Sequence, residues 1–376
     1  MFAVEYHVPL GLTVHKTENS DLKKPMYTKK NFPVVKVLWW TRFETLLFLG
    51  IGTTWCAAYY FLGLSWLTIP WTPMALIGTA VAFVIGFQNN AAYQRIWEAR
   101  KIWGGIVNTS RTFGMLIQDF LTNEHADPRL DEAEREREIK TLIYRHIAWM
   151  TALRHAMRQP KSWETVTSQK TNKEWNYRPP ERDSTLEVDL KPYINENDFE
   201  YAMSKNNKQT ALLYLQSQHL RKLKERGAVW EFSFLKLEEV LQELLTLQGK
   251  SERIKNFPYP RHFATLNHIF MWILLLLLPL ALIAQFAEIG KAIVESQPLA
   301  GEFFVWLSVP FYVLVAWIFH TMERVGRTGE NPFEGTANDV PISTMARGIE
   351  IDLRQNLGES NEEIPEQFPV KYDTQF

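Results

Sequence analysis

Residues 76–104 read LIGTAVAFVIGFQNNAAYQRIWEARKIWG, and this stretch decides the fold of the chain. It begins apolar, ends polar and basic, and contains no proline, so a continuous helix is the simplest prediction. At about 1.5 Å per residue, such a helix is about 40 Å long, whereas the apolar core of a bilayer is about 30 Å thick. We therefore predict a helix that crosses a membrane and continues beyond it.

The apolar half of this helix carries a repeated face. Thr79, Phe83 and Phe87 recur at steps of four residues and therefore lie above one another. The residues alone leave two interpretations open. The side chains pack against other helices, or they form rings in an oligomer that constrict a pore and close it by dewetting. We call the second arrangement the neck.

Polar residues follow the neck directly. The amides of Gln88, Asn89 and Asn90 either join neighbouring helices by hydrogen bonds or line a polar vestibule below the neck. Further along come the charged residues, which either form a ring of charge or pair with one another. The spacing of Arg95 and Glu98 favours pairing on one helix face.

Composition and charge exclude several classes of protein. The 376 residues include 41 basic and 42 acidic side chains, so no nucleic-acid partner is indicated. The single cysteine excludes an intramolecular disulfide, and the first residues lack a cleavable signal peptide. HExxH, P-loop and complete GxGxxG motifs are absent, and the histidines do not have the spacing of metal ligands. We predict neither an enzyme nor a cofactor or metal site.

The apolar segments predict four spans. No Asp, Glu, Lys or Arg occurs from Thr45 to Gln94, a length that suits two spans joined by a turn at Pro70 and Pro73. Two more apolar runs cover 263–287 and 303–322, and basic residues flank the near ends of the hairpins, so both termini are expected in the cytoplasm. The predicted organisation is a cytosolic N-terminal segment (1–37), a membrane hairpin (38–100), a helical cytosolic domain (101–260) that includes helices at 210–227 and 231–249, a second hairpin (261–325) and a cytosolic C-terminal segment (326–376).

Two blocks of this sequence resemble the bestrophin family, especially its bacterial branch. The first is GFQNNAAYQRIWEARKIWGGIVNTSR at 86–111, which differs from the bacterial pattern at Gln88, where arginine is usual. The second follows the fourth span and matches the family in three short motifs: Asn331-Pro332-Phe333, Asn338-Asp339 with Pro341, and Ile349-Glu350 with Leu353.

The resemblance implies an all-α integral membrane protein with four transmembrane helices per subunit, assembled as a homopentamer around one pore in the bacterial inner membrane. It implies passive conduction of monovalent ions, either chloride and other anions or, as in some bacterial relatives, cations. Thr79, Phe83 and Phe87 match the neck of the family, and Ala211 matches its second, cytosolic aperture. The alternative is a membrane scaffold or accessory subunit that conducts nothing.

Residues 334–339 match the calcium clasp of animal bestrophins. Calcium needs six to eight oxygen ligands, and only two carboxylates, Glu334 and Asp339, remain here. We therefore predict a turn capped by Asn338 and Asp339, and no regulation by calcium.

Overall fold

The computed structural model describes residues 32–127, 129–164, 174, 178–370 and 374–376, and every regular element in these ranges is helical. The α-helices, in chain order, are α1 (Val34–Trp40), α2 (Arg42–Leu62), α3 (Trp71–Phe120), α4 (Glu132–Arg158), α5 (Leu186–Leu190), α6 (Glu196–Met203), α7 (Lys208–Glu225), α8 (Glu231–Asn256), α9 (Arg261–Val294), α10 (Pro298–Phe303), α11 (Ser308–Thr328) and α12 (Ile342–Asn356).

Four segments in the described part of the chain are long and apolar enough to cross a bilayer: α2, α3, α9 and the run from α10 through α11. This confirms the predicted four spans. The first turn lies where the prolines predicted it, because Gly63 ends α2 with a φ of 64° and Pro70 precedes α3. Pro279 lies inside α9 without ending it.

Helix α3 is longer than predicted. It runs for 50 residues without a break, about 75 Å at the usual rise, and includes the apolar pattern at 106–120 that the sequence presents separately. The predicted boundary at residue 100, between hairpin and domain, therefore falls inside one helix. The lower half of α3 packs closely on α8, where a Cβ at Gly105 would lie 3.0 Å from Leu247 Cδ2.

The helices enclose two main hydrophobic cores, and α3 contributes to both. The core between the spans includes Val81 and Ile85 of α3, together with Phe48 and Tyr312. The core of the large domain includes Trp103 and Phe113 of α3 and surrounds the C-terminal half of α4, which is almost entirely buried. One helix therefore fixes the spans relative to the domain.

Two further predictions need correction. Gly249 was expected to end its helix, but α8 continues through it to Asn256, and a Cβ at Gly249 would have no atom within 4 Å. The polar sequence at 161–198, broken by Pro179 and Pro180, predicts a long loop, yet the region contains α5 and the start of α6. Residues 165–173 and 175–177 of that region, and 1–31 of the predicted N-terminal segment, lie outside the described residues.

Candidate ion-conduction path

The predicted neck residues lie on the surface of the subunit. Thr79 is exposed, and the exposed fractions of Phe83 and Phe87 are 67% and 71%, whereas Val81 and Ile85 on the other side of α3 are buried. The Thr79 hydroxyl donates to the carbonyl of Ala75 at 2.9 Å, so part of its polarity is already satisfied within the helix. The structure therefore places all three on one free face.

This face continues as a stripe well beyond the apolar segment. We define the α3 stripe as the exposed residues that recur at three- and four-residue steps along the helix. From the apolar end to the polar end they are Leu76, Thr79, Ala80, Phe83, Phe87, Asn90, Gln94, Trp97 and Lys101. A single strip of surface thus changes from apolar to polar and then to charged.

The three amides below the phenylalanines do not act together. Asn90 lies on the α3 stripe, but Gln88 is only 1% exposed. Its side chain donates to Glu330 Oε1 at 3.0 Å and accepts from Asn267 Nδ2 at 3.2 Å. Gln88 therefore joins α3 to α9 and to the segment after α11, which corrects its assignment to the vestibule.

Asn89 also faces away from the stripe. A Cβ at Gly326 of α11 would lie 2.2 Å from Asn89 Oδ1, so this glycine is what allows the amide to fit between α3 and α11. Neither polar atom of the Asn89 side chain has a hydrogen-bond partner among the described residues. Of the three amides, only Asn90 remains a candidate for the vestibule.

The charged residues of α3 are mostly engaged within the subunit. Arg95 donates to the carbonyls of Glu330 at 2.6 Å, Ile254 at 2.7 Å and Phe257 at 2.5 Å, so it does not pair with Glu98. Glu98 pairs instead with Lys101 at 2.9 Å, and both side chains are substantially exposed. The interpretation as internal pairing holds, with a different partner from the predicted one.

Ala211, the predicted aperture residue, is only 3% exposed. It lies in the first turns of α7, on the face that packs into the domain, while Tyr214 on the same helix is 60% exposed. The side chain of Ala211 therefore cannot line an opening on this surface, which corrects the carry-over from the family. An aperture built from α7 would use its exposed residues.

The segment that matches the calcium clasp is a buried, self-satisfied turn. Asp339 accepts hydrogen bonds from the backbone N–H groups of Gly335 and Thr336 at 2.6 and 3.0 Å, and from the Thr336 hydroxyl at 2.7 Å. Asp339 thus caps the turn as expected, whereas Asn338 is exposed.

Two carbonyl oxygens at the start of this turn also accept hydrogen bonds. Arg158 donates to the carbonyl of Phe333 at 3.1 Å, and Arg182 donates to that of Glu334 at 3.2 Å. Oxygens that calcium would need as ligands already accept from guanidinium groups of the same chain. The geometry therefore supports a turn that is held by the guanidinium groups of Arg158 and Arg182 in place of a metal ion.

The histidines among the described residues do not form a metal site. His146 is stacked between Phe113 and Trp149, with ring centroids 4.9 and 5.2 Å away, and burial lowers its pKa to about 3, so it is a neutral core residue. His155 Nε2 lies 2.8 Å from Asp189 Oδ2. The described residues contain no cluster of three or more His, Cys, Asp or Glu side chains placed to hold a metal ion.

Sequence reasoning missed Glu330. This carboxyl group is 1% exposed and lies at the junction of the spans with the domain. Burial raises its pKa, although Gln88 donates to it and Arg261 lies 3.9 Å away. The available signal was its position directly before the Asn331-Pro332-Phe333 motif, combined with an amide where the bacterial pattern has arginine.

Comparison with known proteins identifies the family. The family described as Bacterial/Fungal Bestrophin protein matches residues 34–355. The chain belongs to this family. The resemblance in the sequence is thus confirmed, and with it the prediction of an ion channel and not an enzyme.

Several relatives of this bestrophin are channel-forming proteins by name. The voltage-dependent anion channel-forming protein YneE of Escherichia coli (strain K12) is 24% identical over 294 residues, 78% of each chain. The voltage-dependent anion channel-forming protein RSc3414 of Ralstonia nicotianae is 28% identical over 288 residues, 77% of this chain and 78% of that protein. A crystal structure of a bacterial bestrophin homolog from Klebsiella pneumoniae has the same fold, with a TM-score of 0.65, 20% identity, and coverage of 85% of this chain and 99% of that one.

Glu330 predicts a pH dependence of stability. A buried carboxyl group with a raised pKa binds its proton more readily in the folded state, so its contribution to stability is present at low pH and is lost as the pH rises through that pKa. Glu330→Gln keeps an oxygen for Gln88 but cannot ionise. In thermal unfolding of the detergent-solubilised protein, we expect this variant to be more stable than the wild type at pH 8, with a smaller difference at pH 5.

The control for this experiment is Glu243→Gln, which makes the same charge change at an exposed position of α8 and should leave the unfolding midpoint nearly unchanged at both values of pH. A Glu330→Gln protein that is less stable than the wild type at pH 8 would show that the attraction of Arg261 outweighs the cost of burial.

The occupied clasp predicts indifference to calcium. Chelation with EGTA, or addition of millimolar calcium, should leave both the ionic current and the unfolding temperature unchanged. Asp339→Asn should destabilise the protein by about 1 kcal/mol through loss of the cap, equally with and without calcium. A destabilisation that appears only with calcium present would reveal a metal site at this turn.

Proposed function

We propose that copies of this chain assemble as a homopentamer around a central pore lined by the α3 stripe, and that monovalent ions, preferentially anions, pass through it passively. The observation that carries the proposal is the exposure of Phe83 and Phe87 on a helix whose opposite side is packed. The names of the relatives support conduction of anions, and membership of the family supports the pentamer.

The composition of the stripe favours a pore over a lipid-facing surface. Large apolar side chains exposed on a span can face lipid, other subunits or a constriction. The α3 stripe continues along the same unbroken helix to Asn90, Gln94 and Lys101. This order of residues, apolar and then polar, is the one expected along a pore that narrows at apolar rings and then opens into a polar vestibule. Symmetric copies of α3 would form such a pore.

The neck would act as a gate by wetting and dewetting. Rings of Phe83 and Phe87 offer no hydrogen bonds to water, so a narrow passage between them empties easily and blocks ions of either sign. Thr79 would form the outermost ring. Its hydroxyl donates a hydrogen bond to the Ala75 carbonyl, so this ring is less polar than one in which the hydroxyl had no partner within the helix. The neck therefore regulates flux, while the preference for anions arises elsewhere on the path.

The orientation of the chain in the membrane is inferred from the charged residues that flank the spans. The protein is a multi-pass membrane protein with several apolar helices. We place it in the bacterial inner membrane with both termini and the large domain in the cytoplasm, because basic residues flank the near ends of the spans. Partners are then the other subunits, the bilayer and the permeating ions, with no nucleic acid.

Replacement of the neck phenylalanines tests the gate. Phe83→Ala combined with Phe87→Ala should raise single-channel conductance or open probability several-fold, because a wider neck stays wet. Phe263→Ala combined with Phe270→Ala removes two exposed phenylalanines of α9 and should leave the current unchanged. If the neck variant assembles like the wild type but conducts no better, the neck assignment is wrong.

The reversal potential of the purified protein in a planar bilayer tests the ion preference. Under a KCl gradient, we expect a reversal close to the chloride equilibrium potential. Reversal near the potassium potential would place this chain with the cation-conducting relatives. If pentameric protein, including the double alanine variant, carries no current, the scaffold function is the better proposal.

A further inference from the structure

The line of the α3 stripe carries a single charged residue between the neck and Met115. The exposed positions along this line are amides, a hydroxyl, an aromatic ring and a thioether, with Lys101 as the exception. The uncharged positions are Asn90, Gln94, Trp97, Asn108, Thr112 and Met115. An ion that leaves the proposed neck therefore meets a wall of α3 that is neutral over most of its length.

Lys101 has a counter-ion on the same helix. Its ammonium group lies 2.9 Å from the carboxylate of Glu98, and the two side chains are 58% and 41% exposed. An ion pair in water contributes little to the stability of a fold. Its effect on the electrostatic potential is larger, because Glu98 cancels the net charge that Lys101 would otherwise present.

The other charged residues of α3 in this region are held elsewhere or lie off the stripe. Arg95 donates to three backbone carbonyls of its own subunit. Arg111, about 80° around the helix from Lys101, pairs with Asp352 at 2.6 Å. Arg100 precedes Lys101 and lies about 100° around the helix from it. Glu98 and Lys101 are therefore the charges of α3 that lie closest to the proposed path.

Symmetry would make this position sensitive to small changes of charge. Lys101 follows Phe87 by 14 residues, or about 21 Å along the helix, so copies of the pair would form one ring below the neck. Rings of lysine or arginine favour anions, and rings of acidic side chains favour cations. A ring of neutral pairs favours neither.

We propose that Glu98 and Lys101 are paired determinants of ion selectivity. Glu98 cancels the charge with which Lys101 would attract anions, so the wild-type ring favours neither sign at this level of the path. Loss of Glu98 leaves one uncompensated lysine per subunit and favours anions, whereas loss of Lys101 leaves one uncompensated carboxylate and favours cations. The inference rests on the proposed pore, since it assigns a role to one level of that path.

Permeability ratios from reversal potentials under a KCl gradient test the proposal. Glu98→Gln should raise the ratio of chloride to potassium permeability about threefold or more, and Lys101→Gln should lower it by a similar factor. The two substitutions combined should return the ratio close to the wild-type value, because the ring is again neutral. Glu243→Gln and Lys222→Gln make the same charge changes at exposed positions of α8 and α7 and should leave the ratio unchanged.

Salt separates an electrostatic effect from a structural disturbance of α3. The screening length falls from about 10 Å at 0.1 M salt to about 3 Å at 1 M. The changes caused by Glu98→Gln and Lys101→Gln should therefore shrink when the mean KCl concentration is raised from 0.1 M to 1 M. A changed shape of the pore would alter the ratio equally at both concentrations.

Chemical modification tests the same position in a channel that is already assembled. The single cysteine, Cys56, is buried, so a cysteine introduced by Glu98→Cys is the accessible target for water-soluble methanethiosulfonate reagents. Attachment of a sulfonatoethyl group restores a negative charge and should return the ratio toward the wild type. Attachment of a trimethylammonium group should increase the preference for chloride further. Lys222→Cys, treated in the same way, should show no change of ratio with either reagent.

The outcomes separate this inference from the proposed function. If current flows and the ratio is unchanged in both Glu98→Gln and Lys101→Gln, the pair does not determine selectivity, although the pore stands. Shifts of the same size in Glu243→Gln and Lys222→Gln would also overturn the inference, because selectivity would then follow the overall charge of the domain. Absence of current from assembled wild-type and variant proteins would overturn the proposed function and this inference together.

Discussion

The backbone of α3 is the constraint on which the structure depends. In the bilayer, every N–H and C=O group must be satisfied within the segment, which requires a helix. Beyond the bilayer the chain could bend or unwind, yet it remains helical to Phe120 and enters the core of the domain through Trp103 and Phe113. Because the same helix carries the proposed neck residues and part of the domain core, a tilt of the domain would also tilt Phe83 and Phe87.

The junction between the spans and the domain shows how this rigidity is maintained. Arg95 of α3 donates to the carbonyls of Ile254 and Phe257 at the end of α8 and to that of Glu330 after α11. The last carbonyls of a helix have no partner within it, and here an arginine supplies one. Gln88, about two turns earlier on the same helix, makes side-chain contacts across the same junction. It donates to the Glu330 carboxyl group and accepts from the Asn267 amide. A charged residue on α3 therefore need not face the proposed pore.

The sequence predicts much of this architecture, for identifiable reasons. Spans are set by apolar length and by the absence of charge, and both are local properties. The shared face of Thr79, Phe83 and Phe87 follows from helical periodicity. Gln88 and Asn89 were misplaced because consecutive residues differ by about 100° around a helix, so a run of adjacent amides cannot all face one side.

The remaining errors concern contacts between distant segments. Ala211 is buried by the packing of α7 within the domain, and the sequence offers no local sign of which face of α7 is covered. The partners of Arg95, and Gln88 as the partner of Glu330, lie more than a hundred residues away along the chain, and neither pairing can be read from periodicity. Gly249 has the sequence character of a helix end, but the packing of α8 against α3 continues past it, which shows tertiary contact outweighing local propensity.

The charges on the α3 stripe bear on how the pore could discriminate between ions. Lys101 is paired with Glu98, so these two exposed residues together contribute no net charge. In a ring of identical subunits, a net charge on each subunit would add up around the pore. A neutral ion pair on each subunit adds no net charge and leaves only a local dipole. In the proposed apolar neck, the main energetic cost to an ion would be the loss of its water, and this cost applies to cations and anions alike. Such a path favours ions that release their hydration easily, and any preference for sign then depends on the wider field of the domain, which acts over about 10 Å at moderate salt.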